Sequence, residues 1–141
     1  MGSRVLGIDV GRRRVGLAIS DPTRTLARPL ATIEVGAADV VDRLAAEIAR
    51  LAGDDDGLAA VVVGVPRHLD GSISEETVHV RQVMDRLRDR TRVPLFEIDE
   101  RLTSREAESR LAVREPDWRK RKARLDAAAA AILLQDYLDH R

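Results

Sequence analysis

The sequence contains no cysteine, very few aromatic residues and no apolar run long enough to cross a membrane. Without cysteine there are no disulfides and no thiolate-ligated zinc, so a metal would need carboxylate oxygens or the three histidines. With one Phe, one Tyr and one Trp, the core has to be built from Val, Leu, Ile and Ala. The chain also begins without a secretion signal pattern. We therefore expect a cytoplasmic protein with no membrane partner.

Net charge gives no indication of a partner, because 24 basic residues balance 24 acidic ones. The distribution is uneven, however: residues 101–124 hold nine Arg or Lys and four Asp or Glu. A local excess of positive charge attracts polyanions. The run Arg119 to Arg124 can bind backbone phosphates, or it can be a mobile solvated loop, and both interpretations can hold together.

The 141 residues fit a single domain, residues 1–141. Apolar periodicity predicts five strands, four helices and a charged loop. The predicted strands cover 5–10, 15–19, 26–35, 58–65 and 93–98. The first predicted helix covers 38–51, and the second runs from a cap at Ser74 to about residue 90. The third runs from a cap at Thr103 or Ser104 to about residue 111, and the fourth covers 124–139. The charged loop is predicted at 115–122.

This order predicts an α/β fold with a five-stranded mixed sheet of order 3-2-1-4-5 and helices on both faces. Strand 2 is antiparallel to strand 1, whereas right-handed crossovers make strands 4 and 5 parallel to it. Pro29 indicates an edge position or a bulge in strand 3. The carboxyl ends of strands 1, 4 and 5 then lie side by side, where open α/β sheets place their sites.

Asp9 is a lone carboxylate at the end of an otherwise apolar strand, Val5 to Val10. A buried charge is costly unless something pairs with it. Gly11 opens the connector to the next strand and can take a positive φ, which favours an antiparallel hairpin. Asp9 can then either hydrogen-bond the turn backbone or belong to a site.

Three further acidic residues point to the same chemistry: Asp99 and Glu100 end strand 5, and Asp126 interrupts the apolar side of the last helix. Converging carboxylates repel each other, and a hard divalent cation, Mg²⁺ or Mn²⁺, relieves that repulsion. Such a cluster can support two-metal phosphoryl transfer. Alternatively, Asp126 is an ordinary acid near a helix N-terminus.

Four motifs in order resemble the YqgF/RuvX family of pre-16S ribosomal RNA nucleases, whose fold is similar to ribonuclease H and Holliday-junction resolvases. These are GIDVGRRRVGLAISD, VVVGVPRHLDG, DERLTS and RLDAAAAAILLQDYL, within residues 4–139. The resemblance implies that Asp9, Glu100 and Asp126 form a metal-binding catalytic triad, with Asp99 as a fourth ligand or supporting acid. The family's glycine-lysine pair ahead of the helix acid appears here as Ala123-Arg124.

The residues beside these acids are candidates for holding nucleic acid. Arg14 fits the family's arginine position and can clamp phosphate, or it can belong to a solvated turn. Arg101, Thr103 and Arg124 can contact the strand that is cut. His68, His79 and His140 lack metal-ligand spacing and are expected at the surface.

The resemblance implies a metal-dependent endonuclease that processes precursor 16S ribosomal RNA, with precursor ribosomal particles as a partner. A Holliday junction resolvase acting on DNA uses the same carboxylates but needs a homodimer, and the sequence leaves monomer and homodimer open. A non-catalytic nucleic-acid-binding or transcription factor is a third candidate, although such a protein would gain nothing from an acidic cluster facing phosphate. The fourth is a sugar-kinase-like ATPase, which needs two such domains.

Overall fold

The computed structural model describes residues 2–36, 39–99 and 118–140, which form five strands and three helices. The strands are β1 (Arg4–Val10), β2 (Arg14–Ser20), β3 (Ala27–Glu34), β4 (Leu58–Val65) and β5 (Leu95–Asp99). The helices are α1 (Val40–Ala52), α2 (Glu75–Arg88) and α3 (Trp118–His140). The helix expected to begin at Thr103 or Ser104 lies outside the described residues. None of the described helices is long and apolar enough to cross a membrane.

The strands form one sheet of order β3-β2-β1-β4-β5, which confirms the predicted order. β2 is antiparallel to both β1 and β3, whereas β4 is parallel to both β1 and β5. The parallel pairs are connected through helices, so the carboxyl ends of β1, β4 and β5 lie at one edge of the sheet. We call this the carboxyl edge.

Apolar side chains cover both faces of the sheet. In β1, Leu6, Ile8 and Val10 join a cluster with the buried residues of α1 and α2. Val5 belongs to a second cluster with residues of α3, including Leu134. Because alternate residues of a strand face opposite sides, Asp9 shares the α3 face with Val5.

Helices α1 and α2 begin at capping residues. The Asp39 carboxylate accepts a hydrogen bond from Val41 N at 2.8 Å, so α1 starts slightly later than residue 38. At α2 the predicted cap is confirmed: Ser74 Oγ accepts from Thr77 N at 3.2 Å, and Ser74 N donates to Thr77 Oγ1 at 3.0 Å. This reciprocal pair satisfies backbone donors that the first turn would leave unpaired.

β3 is an edge strand and is irregular at the position of its proline. Ala31 pairs with Leu17 and Pro29 pairs with Ala18, so the register shifts by one residue between them. Proline cannot donate to a sheet ladder, which restricts it to edges and bulges. Both interpretations of Pro29 are therefore confirmed.

The β1–β2 hairpin is confirmed, but Gly11 does not have the positive φ that was expected. In the described residues that conformation occurs at Arg24, Gly57 and Gly71. Gly11 N donates to Arg14 O at 2.9 Å, and a Cβ at Gly11 would lie 2.6 Å from that oxygen. Glycine is required here by the close approach of two backbones.

The last helix starts earlier than predicted. α3 runs from Trp118, so Arg119 to Lys122 are helical, and the expectation of a loop is wrong for these residues. The loop was inferred from charge, whereas Arg, Lys and Ala are all strong helix formers.

Candidate active site

Asp9 lies between two glycines at the carboxyl edge. Its register neighbours are Gly16 in β2 and Gly64 in β4. Since glycine has no side chain, neither adjacent strand places a side chain directly opposite Asp9. Asp9 is half-buried, in contrast to the buried Ile8 and Val10 on either side. The two glycines therefore leave room next to Asp9 on this part of the sheet.

α3 contacts the sheet through glycine positions. A Cβ on Gly16 would lie 1.9 Å from Asp126 O, and a Cβ on Gly7 would lie 2.9 Å from Leu134 Cβ. Gly16 is the register partner of Asp9, so its contact brings the α3 backbone at Asp126 beside Asp9. Asp126, Ala130 and Leu134 are four residues apart and share one face of the helix. The structure thus brings two of the predicted acidic residues to one face of the sheet.

The two glycines at the α3 contact were missed by the sequence analysis, although a signal was present. A glycine inside a strand weakens it and often marks the close approach of another backbone. Gly7 and Gly16 each interrupt an apolar strand. That pattern could have indicated where α3 packs.

Asp99 pairs with Val65 at the end of β5, also at the carboxyl edge. Residues 95, 97 and 99 point to the same face of β5 because side chains alternate along a strand. On that face, Leu95 packs with the α1 and α2 cluster, and Glu97 pairs with Arg81 of α2. Ile98 packs on the α3 side instead. Asp99 is therefore near Asp9 along the edge but alternates onto the other face of the sheet. Its role as a metal ligand stays a prediction.

Several predicted site residues lie outside the described atoms. These are Glu100, Arg101, Thr103 and the side chain of Arg124, whose backbone position is in α3. In the described parts of the chain, no three His, Asp or Glu side chains come together as a metal site. Asp9 and Asp126 are thus the part of the predicted triad that the structure describes.

Arg14 is the first residue of β2. It lies two residues before Gly16, so both are on the α3 face of the sheet, as is Asp9. Its Nε lies 3.8 Å from Glu34 Oε1 across the β2–β3 pair, and 27% of its side chain is exposed. An ion pair of this length with a mostly exposed glutamate is weak. Glu34 therefore holds the Arg14 guanidinium only weakly.

Arg12, at the tip of the hairpin, is engaged elsewhere. Its Nη2 lies 2.6 Å from Glu76 Oε1 in the first turn of α2. The backbone N–H of Glu76 and the Arg12 guanidinium both lower the pKa of the Glu76 carboxyl. This contact ties the hairpin to α2 on the face away from Asp126.

The loop after β4 is anchored to α2. The Thr77 hydroxyl, fully buried, donates to Pro66 O. Gly71 has a φ of +89° and its N–H donates to His68 O at 2.8 Å, so it shapes a turn in this loop. The three histidines are exposed, as expected.

Known proteins of similar sequence match almost the whole chain. A protein of Roseiflexus sp. (strain RS-1) is 40% identical over 136 residues, covering 96% of this chain and 94% of that protein. A protein of Chloroflexus aggregans is 41% identical over 137 residues, covering 97% and 94%. Both carry the name "Putative pre-16S rRNA nuclease".

Among solved structures, the chain is similar to Thermus thermophilus RuvC in complex with a Holliday junction substrate. The TM-score is 0.54 at 18% identity, covering 96% of this chain and 92% of that one. A second RuvC structure from the same organism has a TM-score of 0.52 at 16% identity, with 96% of each chain covered. At such identities the likeness shows the fold, which is ribonuclease H-like as predicted.

A family model described as RuvX, Holliday junction resolvase, matches residues 3–140. Together with the relatives at about 40% identity, this match shows that the chain belongs to the RuvX (YqgF) family, which its four motifs predicted.

Proposed function

We propose that this protein is a metal-dependent endonuclease that processes precursor 16S ribosomal RNA by hydrolysing phosphodiester bonds. The observation that supports the proposal most is that Gly16, the register partner of Asp9, contacts the backbone of Asp126. The name carried by the near-full-length relatives supports the substrate. Retained carboxylates favour catalysis over simple binding, because a negative cluster weakens affinity for phosphate.

Glu100 completes the proposed triad. It follows Asp99 directly in the sequence, within the DERLTS motif. Three carboxylates supply the hard oxygen ligands that Mg²⁺ or Mn²⁺ prefers, so the donor set fits such a cation. A bound cation would lower the pKa of the attacking water and would stabilise the negative charge on the phosphate oxygens.

The remaining residues bind and orient the substrate in this proposal. Arg14 exchanges its weak contact with Glu34 for a phosphate oxygen, since a guanidinium can hold phosphate bidentately. Arg101, Thr103 and Arg124 contact the backbone of the strand that is cut. Water is the nucleophile, and no covalent intermediate with the enzyme forms. The protein acts in the cytoplasm on precursor ribosomal particles.

A second candidate is a Holliday junction resolvase acting on DNA. The description of the matching family model favours it. The same carboxylates would serve, but cutting two strands of a junction requires two active sites and hence a homodimer. Substrate choice and oligomeric state therefore separate the two candidates.

The test is cleavage by the purified full chain of three labelled substrates: precursor 16S RNA, a four-way DNA junction and plain duplexes. Each is incubated with Mg²⁺, with Mn²⁺ or with EDTA. Asp9→Asn removes one proposed ligand and keeps the shape of the side chain. Asp55→Asn is the matched control, because Asp55 is exposed in the loop before β4, at the opposite edge of the sheet.

We expect wild type and Asp55→Asn to cut precursor RNA only with metal, and Asp9→Asn to lose at least about 10³-fold in rate. Preferential cutting of the junction would support the resolvase instead. Cleavage by Asp9→Asn at the wild-type rate would show that the site is wrong. Binding of RNA with no cleavage under any condition would favour a non-catalytic nucleic-acid-binding protein.

A further inference from the structure

A cavity of about 300 Å³ opens at the carboxyl edge, on the face of the sheet that α1 and α2 cover. It lies between the β1–β2 hairpin, the end of β3, the start of α1 and the second turn of α2. Its described lining is Val10, Gly11, Arg12, Val35, Val40 and His79. Nothing in the proposed cleavage chemistry uses this space.

The walls of the cavity are mainly apolar. Val10 belongs to the core cluster under α1 and α2, and Val40 packs against that cluster. Val35 follows β3 and is 37% exposed. A concave surface with apolar walls and a few polar groups is typical of a site for a small ligand. The lining therefore suits a ligand with an apolar surface.

Two flat side chains supply the polar part of the lining, the guanidinium of Arg12 and the imidazole of His79. Arg12 Nη2 lies 2.6 Å from Glu76 Oε1. The hydrogen bonds of a guanidinium lie in its plane, so pairing with a carboxylate leaves its two faces able to stack on a ring. Arg12 can therefore stack on a flat ligand while it keeps its contact with Glu76.

The charges at the cavity favour a neutral ring over a phosphate. Glu76 already balances the positive charge of Arg12. A phosphate in the cavity would lie near the Glu76 carboxylate and against valine side chains, and an anion loses its hydration there without gaining a new partner. A neutral ring meets no such cost.

The elements that line the cavity are held to one another. Val35 N donates to Arg13 O at 2.8 Å, which fixes the end of β3 to the hairpin. Asp39 caps α1 directly before Val40, and its Oδ2 lies 2.5 Å from Nη2 of Arg86 in α2. A site whose walls are already in place loses little conformational entropy when its ligand arrives.

The cavity adjoins the candidate active site along the chain. Val10 follows Asp9 directly, so their Cα atoms are about 3.8 Å apart. Their side chains point to opposite faces of β1. Nucleotides in a stacked strand are spaced by roughly 3.4 Å. A strand whose phosphate lies at Asp9 therefore passes over the end of β1 and reaches the cavity within about two nucleotides.

We propose that this cavity binds one unpaired nucleobase of the nucleic-acid strand at the carboxyl edge, stacked on Arg12 and His79 between the valine walls. Every base has a π-face, so stacking tolerates any base, and an arginine adds a cation–π contribution. A base in a duplex is paired and stacked, and it has to leave the duplex before it can enter. The site thereby selects an unpaired nucleotide and not a sequence. The inference rests on the proposed function only in assigning this base to the strand that is cleaved.

The test measures binding of the full chain to two fluorescein-labelled DNA strands of nine residues. One strand is abasic at every position, and the other carries a single adenine at its centre. Both have the same phosphates, so the ratio of their Kd values isolates the contribution of one base. Fluorescence anisotropy gives each Kd in EDTA, which prevents metal-dependent cleavage, and at low ionic strength, which strengthens phosphate contacts.

Three variants change the flat side chains. Arg12→Lys keeps the positive charge beside Glu76 but has no planar face. His79→Ala removes the imidazole, whereas His79→Phe keeps a flat ring. His140→Ala is the matched control for a lost imidazole, because His140 is exposed at the end of α3, away from the cavity. His79 is itself exposed, so its substitutions leave the core intact.

We expect wild type and His140→Ala to bind the strand with adenine roughly 10-fold tighter than the abasic strand, as one stacked base provides. Cytosine in place of adenine should also bind more tightly than the abasic strand. Arg12→Lys and His79→Ala should reduce the ratio to less than about 3-fold, and His79→Phe should keep it. Affinity for the abasic strand should stay within about 2-fold of wild type in every variant, since no charge is lost.

Three results would overturn the proposal. The first is equal affinity of wild type for the two strands. The second is an unchanged ratio in both Arg12→Lys and His79→Ala, which would place the base elsewhere on the protein. The third is weaker binding of both strands by Arg12→Lys with the ratio intact, which is the signature of a phosphate contact.

The failure of this inference is distinguishable from the failure of the proposed function. A base contribution that depends on His79, without cleavage of any substrate, would leave the base site standing and remove the nuclease. Cleavage that depends on Asp9, without any base contribution to binding, would do the reverse.

Discussion

Gly16 and Asp126 are in direct backbone contact, so close that a Cβ on Gly16 would lie 1.9 Å from Asp126 O. The contact joins β2 to α3 at the register position of Asp9. One glycine thereby sets where the second carboxylate of the candidate site lies relative to the first.

Gly16→Ala should therefore displace α3 from the sheet. The overlap is with backbone, which cannot rotate away, so we expect a loss of about 3 kcal/mol in the free energy of unfolding. Misplacing Asp126 by about 1 Å should also lower the cleavage rate roughly 100-fold. Urea unfolding and a cleavage assay measure the two effects.

Gly36→Ala is the matched control for Gly16→Ala, because nothing lies within 4 Å of a Cβ built there. It should leave the free energy of unfolding within about 0.5 kcal/mol of wild type, or raise it slightly by restricting the unfolded chain. If Gly16→Ala were as stable as Gly36→Ala, the close packing of α3 on β2 would be wrong.

Metal should stabilise the folded chain through Asp9 and Asp126. A ligand that binds only the folded state, at about 100 times its Kd, adds about 2.7 kcal/mol. Asp126→Asn should remove most of the gain that Mn²⁺ gives to wild type, measured by urea unfolding at several Mn²⁺ concentrations. Asp55→Asn should keep it. An unchanged gain in Asp126→Asn would exclude this carboxylate as a ligand.

The buried Thr77 hydroxyl should contribute more to stability than an ordinary cap. Thr77 is 0% exposed, and its hydroxyl donates to Pro66 O and accepts from Ser74 N, so Thr77→Val leaves two half-buried backbone groups unpaired. We expect a loss of about 2–3 kcal/mol. A double-mutant cycle with Ser74→Ala, followed by chemical denaturation, should show coupling of at least about 0.5 kcal/mol. Additive effects would mean that the two side chains act independently.

The Asp39 carboxylate should make the free energy of unfolding depend on pH under acidic conditions. The hydrogen bond from Arg86, with that from Val41 N, lowers the pKa of the Asp39 carboxyl in the folded protein. A lowered folded pKa gives stability that is present above the unfolded value of about 3.9 and is lost as the pH falls through the folded value. Asn can still cap a helix, so Asp39→Asn isolates the charge.

The Asp39→Asn variant should have a lower urea midpoint than wild type at pH 7, and the difference should shrink as the pH falls below about 4. A constant difference between them from pH 7 to pH 3 would show that the Asp39 charge contributes nothing to folding.

The sheet order followed from the sequence because its signals were local and consistent. An apolar run without alternation at 58–65 indicated a strand covered on both faces, and the structure makes it β4 with those bounds. Pro29 indicated the edge strand. Periodicity was less informative for the start of α3. Arg119 to Lys122 were predicted as a loop because they are charged, although Arg and Lys favour a helix.

Some residues of the candidate site could likewise be identified from the sequence, and others required the structure. Asp9 and Asp126 were identified from the sequence because each places a charge in an apolar pattern, and a charge there needs a partner. The positions of Gly7 and Gly16 as contacts of α3 required the structure, because no local pattern says which helix packs on which strand.

The sequence by itself determined the elements, their order, the family and the acidic residues, because apolar periodicity, capping and motifs are properties of neighbours in the chain. Only the tertiary structure decided which side of the sheet each acid reaches. Strand register puts Asp9 between two glycines, the contact at Gly16 brings Asp126 to it, and one residue of alternation turns Asp99 to the other face. Register and packing join residues distant in sequence, which is why the sequence alone does not contain them.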